Sequence, residues 1–158
     1  MIKLRTALLV ALLPGCGLWT AFAERQAITK AEFSFKSAAV TRVDLPFIGP
    51  DPRADLDVTL LVKNPNSIAA ALDRLDYQVY VSGQQIGAGS LAKDFRVEAG
   101  ATRDLVLPVS IRYEGLAQPV LDAILRREVA LTLKGTSHLA TPVGSLDFPV
   151  EVSGKTAF

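Results

Sequence analysis

The chain has 158 residues, 49% of them hydrophobic and 21% charged, with one Cys and one His. That is one domain's worth of sequence with enough apolar content for a packed core. With 17 basic against 16 acidic residues it lacks the cationic surplus of a nucleic-acid binder, and one Cys with one His excludes an internal disulfide and a Cys/His zinc site.

Residues 1–15 read as an export signal. Lys3 and Arg5 form a basic n-region, and Ala7 to Leu13 an apolar run of seven. Seven residues fall far short of the roughly 20 needed to cross a bilayer core. Leu13-Pro14-Gly15-Cys16 then resembles a bacterial lipobox, with Pro14 departing from the small or aliphatic residue usual there. In this reading the Cys16 thiol is acylated, and residues 16–30 are a lipidated N-terminus and linker. The alternative is ordinary cleavage after Ala21-Phe22-Ala23, which would release a soluble exported domain. Loss of Lys3 and Arg5 leaves 15 basic and 16 acidic residues. A near-neutral chain of that kind would be held at a membrane by acyl chains and not by charge.

From residue 31 to 158 the dominant period is two, the mark of antiparallel strands with one wet face. Ala31, Phe33 and Phe35 begin a weak stripe, and Gly49-Pro50-Asp51-Pro52 marks a loop. Leu56, Val58, Leu60 and Val62 form the next stripe, which ends at Asn64-Pro65-Asn66. There Pro65 fixes φ and holds Asn64 extended, while Asn66 tolerates left-handed φ and can cap its own turn. The side-chain amides of such a corner can satisfy backbone groups that a ladder leaves open. Leu75, Tyr77, Val79 and Val81 form a stripe that Ser82-Gly83 turns as a tight hairpin. Phe95 and Val97 follow, with Ala99-Gly100 as the next turn.

The longest stripe is Leu105, Leu107, Val109, Ile111 and Tyr113. Gly115 to Arg127 is the one stretch with helical spacing: Leu116, Ala117, Val120, Leu121, Ile124 and Leu125 share a face, Pro119 sits in the first turn, and Glu114 and Arg126-Arg127 suit the dipole. Its stripe is expected to cover an open end of the sheets. Val129, Leu131 and Leu133, then Leu146, Phe148, Val150 and Val152, complete the set. Pro108 and Pro149 lack an N–H, so their strands belong at edges or bulges. The expected fold is all-β with one short helix, a seven-stranded antiparallel β-sandwich of fibronectin type III or immunoglobulin kind.

The search for chemistry returns little. His138 has no nucleophile motif near it, since Thr136 and Ser137 lack a G-x-S-x-G elbow, and it reads as ordinary strand-end structure. Asp51, Asp55 and Asp57 alternate with an apolar stripe and read as a solvated face, not a calcium site. Gly83, Gly87 and Gly89 read as a close-packed hairpin, not a phosphate cradle, because no helix follows. Lys30, Lys36 and Arg42 lack the aromatic interleaving of a nucleic-acid platform. No catalytic residue, metal or cofactor is expected.

The run from Leu56 to Ser90, with its strand ending in Asn64-Pro65-Asn66, its Leu72 and Leu75, Tyr77, and Gly83, Gly87 and Gly89, resembles the late embryogenesis abundant group 2 family. That family is also called the water stress and hypersensitive response domain. Leu131 to Gly135 resembles its penultimate strand, so the likeness extends over roughly residues 30 to 153. The resemblance implies a fibronectin-like sandwich and a non-enzymatic role in desiccation or other stress, protecting proteins or membranes. Bacterial members often carry a lipobox, which agrees with Leu13 to Cys16. The expected partners are a membrane, through acylated Cys16, and partially unfolded client proteins, taken up at an apolar groove or an edge strand. The expected location is the cell envelope, facing the periplasm. An envelope assembly module and a lipid or small-ligand carrier are the alternatives.

Overall fold

The structure is a computed structural model that describes residues 19, 20, 23, 31–45, 48–126, 128–141 and 144–157. The basic n-region, the apolar run and the lipobox with Cys16 lie outside the described residues, as does most of the linker.

In chain order the elements are β1 (Glu32–Val43), β2 (Arg53–Lys63), β3 (Ala70–Val81), β4 (Gln84–Val97), β5 (Thr102–Arg112), α1 (Gln118–Leu125), β6 (Glu128–Thr141) and β7 (Gly144–Ala157). They form two antiparallel sheets, ordered β1-β2-β5 and β4-β3-β6-β7. The alternating stripes supply the core between them. Leu56 to Val62 on β2, Leu75 to Val81 on β3, Leu105 to Ile111 on β5 and Val129 to Leu133 on β6 bury every second residue in one apolar cluster. The sandwich-like arrangement with one short helix agrees with the alternation. Pro108 and Pro149 fall on β5 and β7, both at sheet edges, where proline is tolerated because one side of the strand has no ladder.

The weak β1 stripe of Ala31, Phe33 and Phe35 packs partly buried against the core, and beyond it the register shifts between Phe35 and Ser37 and again between Val40 and Arg42. Each shift resets the alternation, so Ala38 takes the core position. Two local expectations, at β7 and at the helix start, are corrected. The β7 stripe holds at Val150 and Val152 but opens toward its start, where Leu146 is exposed. The helix starts three residues later than its spacing suggests. Ala117 is extended (φ −66°, ψ 146°) and caps it without a side chain, leaving Glu114 beyond the first turn. Gln84 on β4 fills that role: its Oε1 accepts from the Ala117 N–H at 2.9 Å and its Nε2 donates to the Gly115 carbonyl at 2.9 Å. Val120 anchors the helix in the core, with Leu116, Ala123 and Ile124 packed beside it.

The sheets meet along two seams, β4 against β5 and β1 against β7. At the first, the Tyr77 hydroxyl donates to the Pro108 carbonyl, and Arg103 Nη1 donates to the Arg96 carbonyl at 2.7 Å while its guanidinium stacks over Phe95. At the second, Phe35 lies on Gly154 so closely that a Cβ there would stand 2.1 Å from the ring. Only glycine permits that approach.

Candidate functional site

The Asn64-Pro65-Asn66 corner ends β2. Asn64 is fully buried, and its side chain is a hub for backbone groups of the corner and of the end of β4. Its Nδ2 lies 2.8 Å from the Ile68 carbonyl, 3.0 Å from that of Val97 and 3.2 Å from that of Glu98. Its Oδ1 accepts from the Asn66 N–H at 3.1 Å and from Asn66 Nδ2 at 2.8 Å. Its own N–H donates to Ala101, and Gly100 N–H donates to the Asn66 carbonyl. One amide therefore ties the β2–β3 corner to the β4–β5 turn. Pro65 is exposed. Asn66 is not left-handed: among the described non-glycine residues only Ser82 has positive φ, in the Ser82-Gly83 hairpin (50° and 83°). The turn is closed by Asn64, two residues earlier, so that no inverted backbone is needed.

His138 is more engaged than its sequence position suggests. It lies within β6, on the outer face of the four-stranded sheet, with its side chain 29% exposed. Nδ1 lies 2.8 Å from Asp147 Oδ1 on β7, and Nε2 lies 2.9 Å from Asp76 Oδ2 on β3. Arg74 grips the same Asp76 carboxylate, Nε at 2.9 Å and Nη2 at 2.8 Å. The Ser90 hydrogen bond, then Arg74, hold the Asp76 carboxyl below its ordinary range. Ser137 is buried on the opposite face of β6, so the neighbouring hydroxyl does not meet the ring. Sequence alternation places Asp76, His138 and Asp147 on wet faces, but only the pairing register brings them together.

Of the remaining candidates, Lys30 lies outside the described residues, and Asp51, Asp55, Lys36 and Arg42 are paired with neighbours. Asp51 meets Arg53 at 3.2 Å and Arg112 at 3.5 Å, and Asp55 meets the Ser110 hydroxyl and Arg53. Among the described residues no group of three His, Cys, Asp or Glu side chains is arranged to hold a metal ion. Lys36 pairs with Asp104 at 2.6 Å and Arg42 with Asp44 at 2.8 Å. Gly87 and Gly89 are sites of close packing, a Cβ at Gly87 falling 2.8 Å from Val109 and one at Gly89 falling 2.4 Å from the Tyr77 hydroxyl.

Two features bear on how the surface could meet a partner. Val43, Leu45 and Ile48 project into solvent at the β1–β2 loop, each about two-thirds exposed (63%, 67% and 66%). The loop's base is fastened by Asp44 N–H to the Arg53 carbonyl at 2.9 Å and by Arg53 N–H to Asp44 Oδ2 at 3.3 Å. In the sequence only Gly49-Pro50-Asp51-Pro52 marks the loop, and the aliphatic residues before it share no period with a strand or helix. The second feature is that all four edge strands carry an interruption. Pro108 and Pro149 break β5 and β7, and register shifts break the β1 pairing and the β4 pairing with β3. Such devices discourage the addition of a foreign strand.

Residues 59–154 match the family described as late embryogenesis abundant protein. Among solved structures, the solution structure of a protein from Arabidopsis thaliana superposes with a TM-score of 0.53 at 22% identity, covering 78% of this chain and 82% of that one. A second solution structure, of a protein described as late embryogenesis abundant, gives a TM-score of 0.53 at 20% identity, covering 89% of this chain and 79% of that one. At these identities the likeness is one of fold. No curated protein matches the chain.

Proposed function

The chain belongs to the late embryogenesis abundant protein family, and from that premise we propose that it is a non-enzymatic, stress-protective protein of the cell envelope. It shields proteins or membranes by surface contact, as a sandwich of the fibronectin type III and immunoglobulin kind. The observation that carries this reading is the family match over residues 59–154, which runs from within β2 into β7. The pairing of His138, Asp51, Asp55, Lys36 and Arg42 with their neighbours supports a surface at rest, without a free nucleophile–base pair among them. Export by residues 1–15 and acylation of Cys16 would place the domain on a periplasm-facing membrane, with β1 leading out of the linker. A client would meet the aliphatic tip of the β1–β2 loop, since the edge strands are interrupted.

The test is inactivation of a drying- or heat-labile enzyme with and without the purified domain. Wild type protects, and Leu45→Ser with Ile48→Ser weakens that protection. Absence of protection at molar excess overturns the reading, and recovery of one stoichiometric envelope partner replaces it with an assembly role. Labelled palmitate enters the wild-type protein and not Cys16→Ala. A wild-type protein that takes up no label and begins after Ala23 overturns the anchor.

A further inference from the structure

The outer face of β3, β6 and β7 carries an arrangement that surface protection does not require. His138 is the one histidine in the sequence. In the register it stands opposite Arg74 on β3 and Asp147 on β7, with Asp76 two residues along. Asp147 is thus a direct cross-strand neighbour and Asp76 a diagonal one, close enough for each ring nitrogen to meet a different carboxylate. The ring closes both contacts, at 2.8 and 2.9 Å.

An ionised carboxylate only accepts hydrogen bonds, so each contact needs a proton from the ring. The imidazolium has two N–H groups. The neutral ring has one, and turns a lone pair toward the other carboxylate. We propose that His138 is a proton-operated clasp across β3, β6 and β7, closed at both ends when the ring carries two protons and open at one end when it carries one.

Among the described residues the charged groups that face the ring are Asp76 and Arg74 from β3 and Asp147 from β7. On β4 the residue level with Arg74 is Ala92, and the Ser90 hydroxyl reaches Arg74 Nε at 3.3 Å. Arg74 fixes the Asp76 carboxylate through both oxygens and shares Oδ2 with His138. Asp76 is also held ionised to lower pH than an ordinary carboxyl, first by the Ser90 hydrogen bond and then by Arg74. Asp76 is therefore an ionised acceptor for a ring that carries two protons, and the doubly protonated ring ties the three strands at both ends.

The experiment uses the full 15N-labelled chain, whose single histidine gives one set of ring signals. On lowering the pH from 8.5 to 5.5, both ring nitrogens take the signature of N–H donors, while thermal melting separates wild type from His138→Gln. Wild type melts higher by about 2–4 °C at pH 5.5, and the gap shrinks as the pH rises and the ring loses a proton. Asp147→Asn keeps the shape and an acceptor oxygen but loses the charge, and narrows the gap at pH 5.5. A gap of constant size across the range, or a ring with a neutral-tautomer signature at pH 5.5, overturns the clasp.

Discussion

The Tyr77 hydroxyl, rooted in the interior strand β3, donates across the seam to the carbonyl of Pro108 on the edge strand of the opposite sheet. In an antiparallel strand a residue's N and C=O point to the same side. A Pro108 carbonyl that meets Tyr77 therefore points away from β2, and so does the proline nitrogen. The proline removes no ladder bond, and the acceptor that the edge leaves open is met from the core.

Tyr77→Phe keeps the ring and deletes the donor. The Pro108 carbonyl then loses its side-chain partner at a partly buried seam, at a cost of about 1 kcal/mol. Urea unfolding should show a lower midpoint with an unchanged m-value, because the surface exposed on unfolding stays the same.

Gly154→Ala tests the other seam. The added methyl group would stand 2.1–2.7 Å from three atoms of Phe35, so the ring or β1 must move. Overpacking of this kind costs about 1–3 kcal/mol. The two sites act as one contact, so Gly154→Ala placed on Phe35→Ala should cost little beyond Phe35→Ala alone. A double-mutant cycle on unfolding free energies measures that coupling.

What the sequence made legible follows from what each signal needs. The stripes from Leu56 to Val62 and from Leu75 to Val81 need only their own neighbours to alternate, and they are buried as read. Pro108 and Pro149 announce an edge because the missing N–H travels with the residue. The register shifts of β1 have no local marker: Lys36 and Thr41 are unremarkable strand residues, and the shift appears only against β2. The His138 network joins residues 62 and 9 positions apart through the pairing of three strands. The roles of the two asparagines were exchanged for a similar reason. Asn64 is the capping residue because the corner buries it beside Val97 and Glu98, a neighbourhood the local sequence does not contain.

Asn64→Ala removes the hub of that corner. Three carbonyls lose the Nδ2 donor, and the Asn66 N–H loses its acceptor. With each stranded buried group worth about 1–3 kcal/mol and water able to reach some of them, the loss should be about 2–4 kcal/mol. Asn64→Asp should be no better, since a carboxylate cannot donate to the carbonyls of Ile68, Val97 and Glu98. Asn66→Ala, which removes the amide donor reaching Asn64 Oδ1 but keeps the Asn66 backbone, should cost less than either. Chemical denaturation of the three variants gives the order directly.

The stability profile should fall off at both extremes of pH, through different groups. The Asp44 carboxyl is held low, first by its hydrogen bond from Arg42 and with help from the Arg53 N–H, and Asp76 is held low by Ser90 and Arg74. In both cases the unfolded chain takes up the proton first. Their stabilisation is thus present above the ordinary aspartate value of about 3.9 and is lost as the pH falls through the lower folded value. Burial pushes the Tyr77 and Tyr113 hydroxyls up, with the charges of Asp57 and Asp44 adding to it respectively. The folded protein then keeps a proton that the unfolded chain releases near pH 10, so stability declines as the pH rises past that value. Thermal midpoints between pH 2.5 and 11 should trace both arms. Tyr77→Phe with Tyr113→Phe should flatten the alkaline arm and leave the acid arm in place, because the tyrosines are neutral throughout the acid range. An alkaline arm of undiminished slope in that double variant would assign it to other groups.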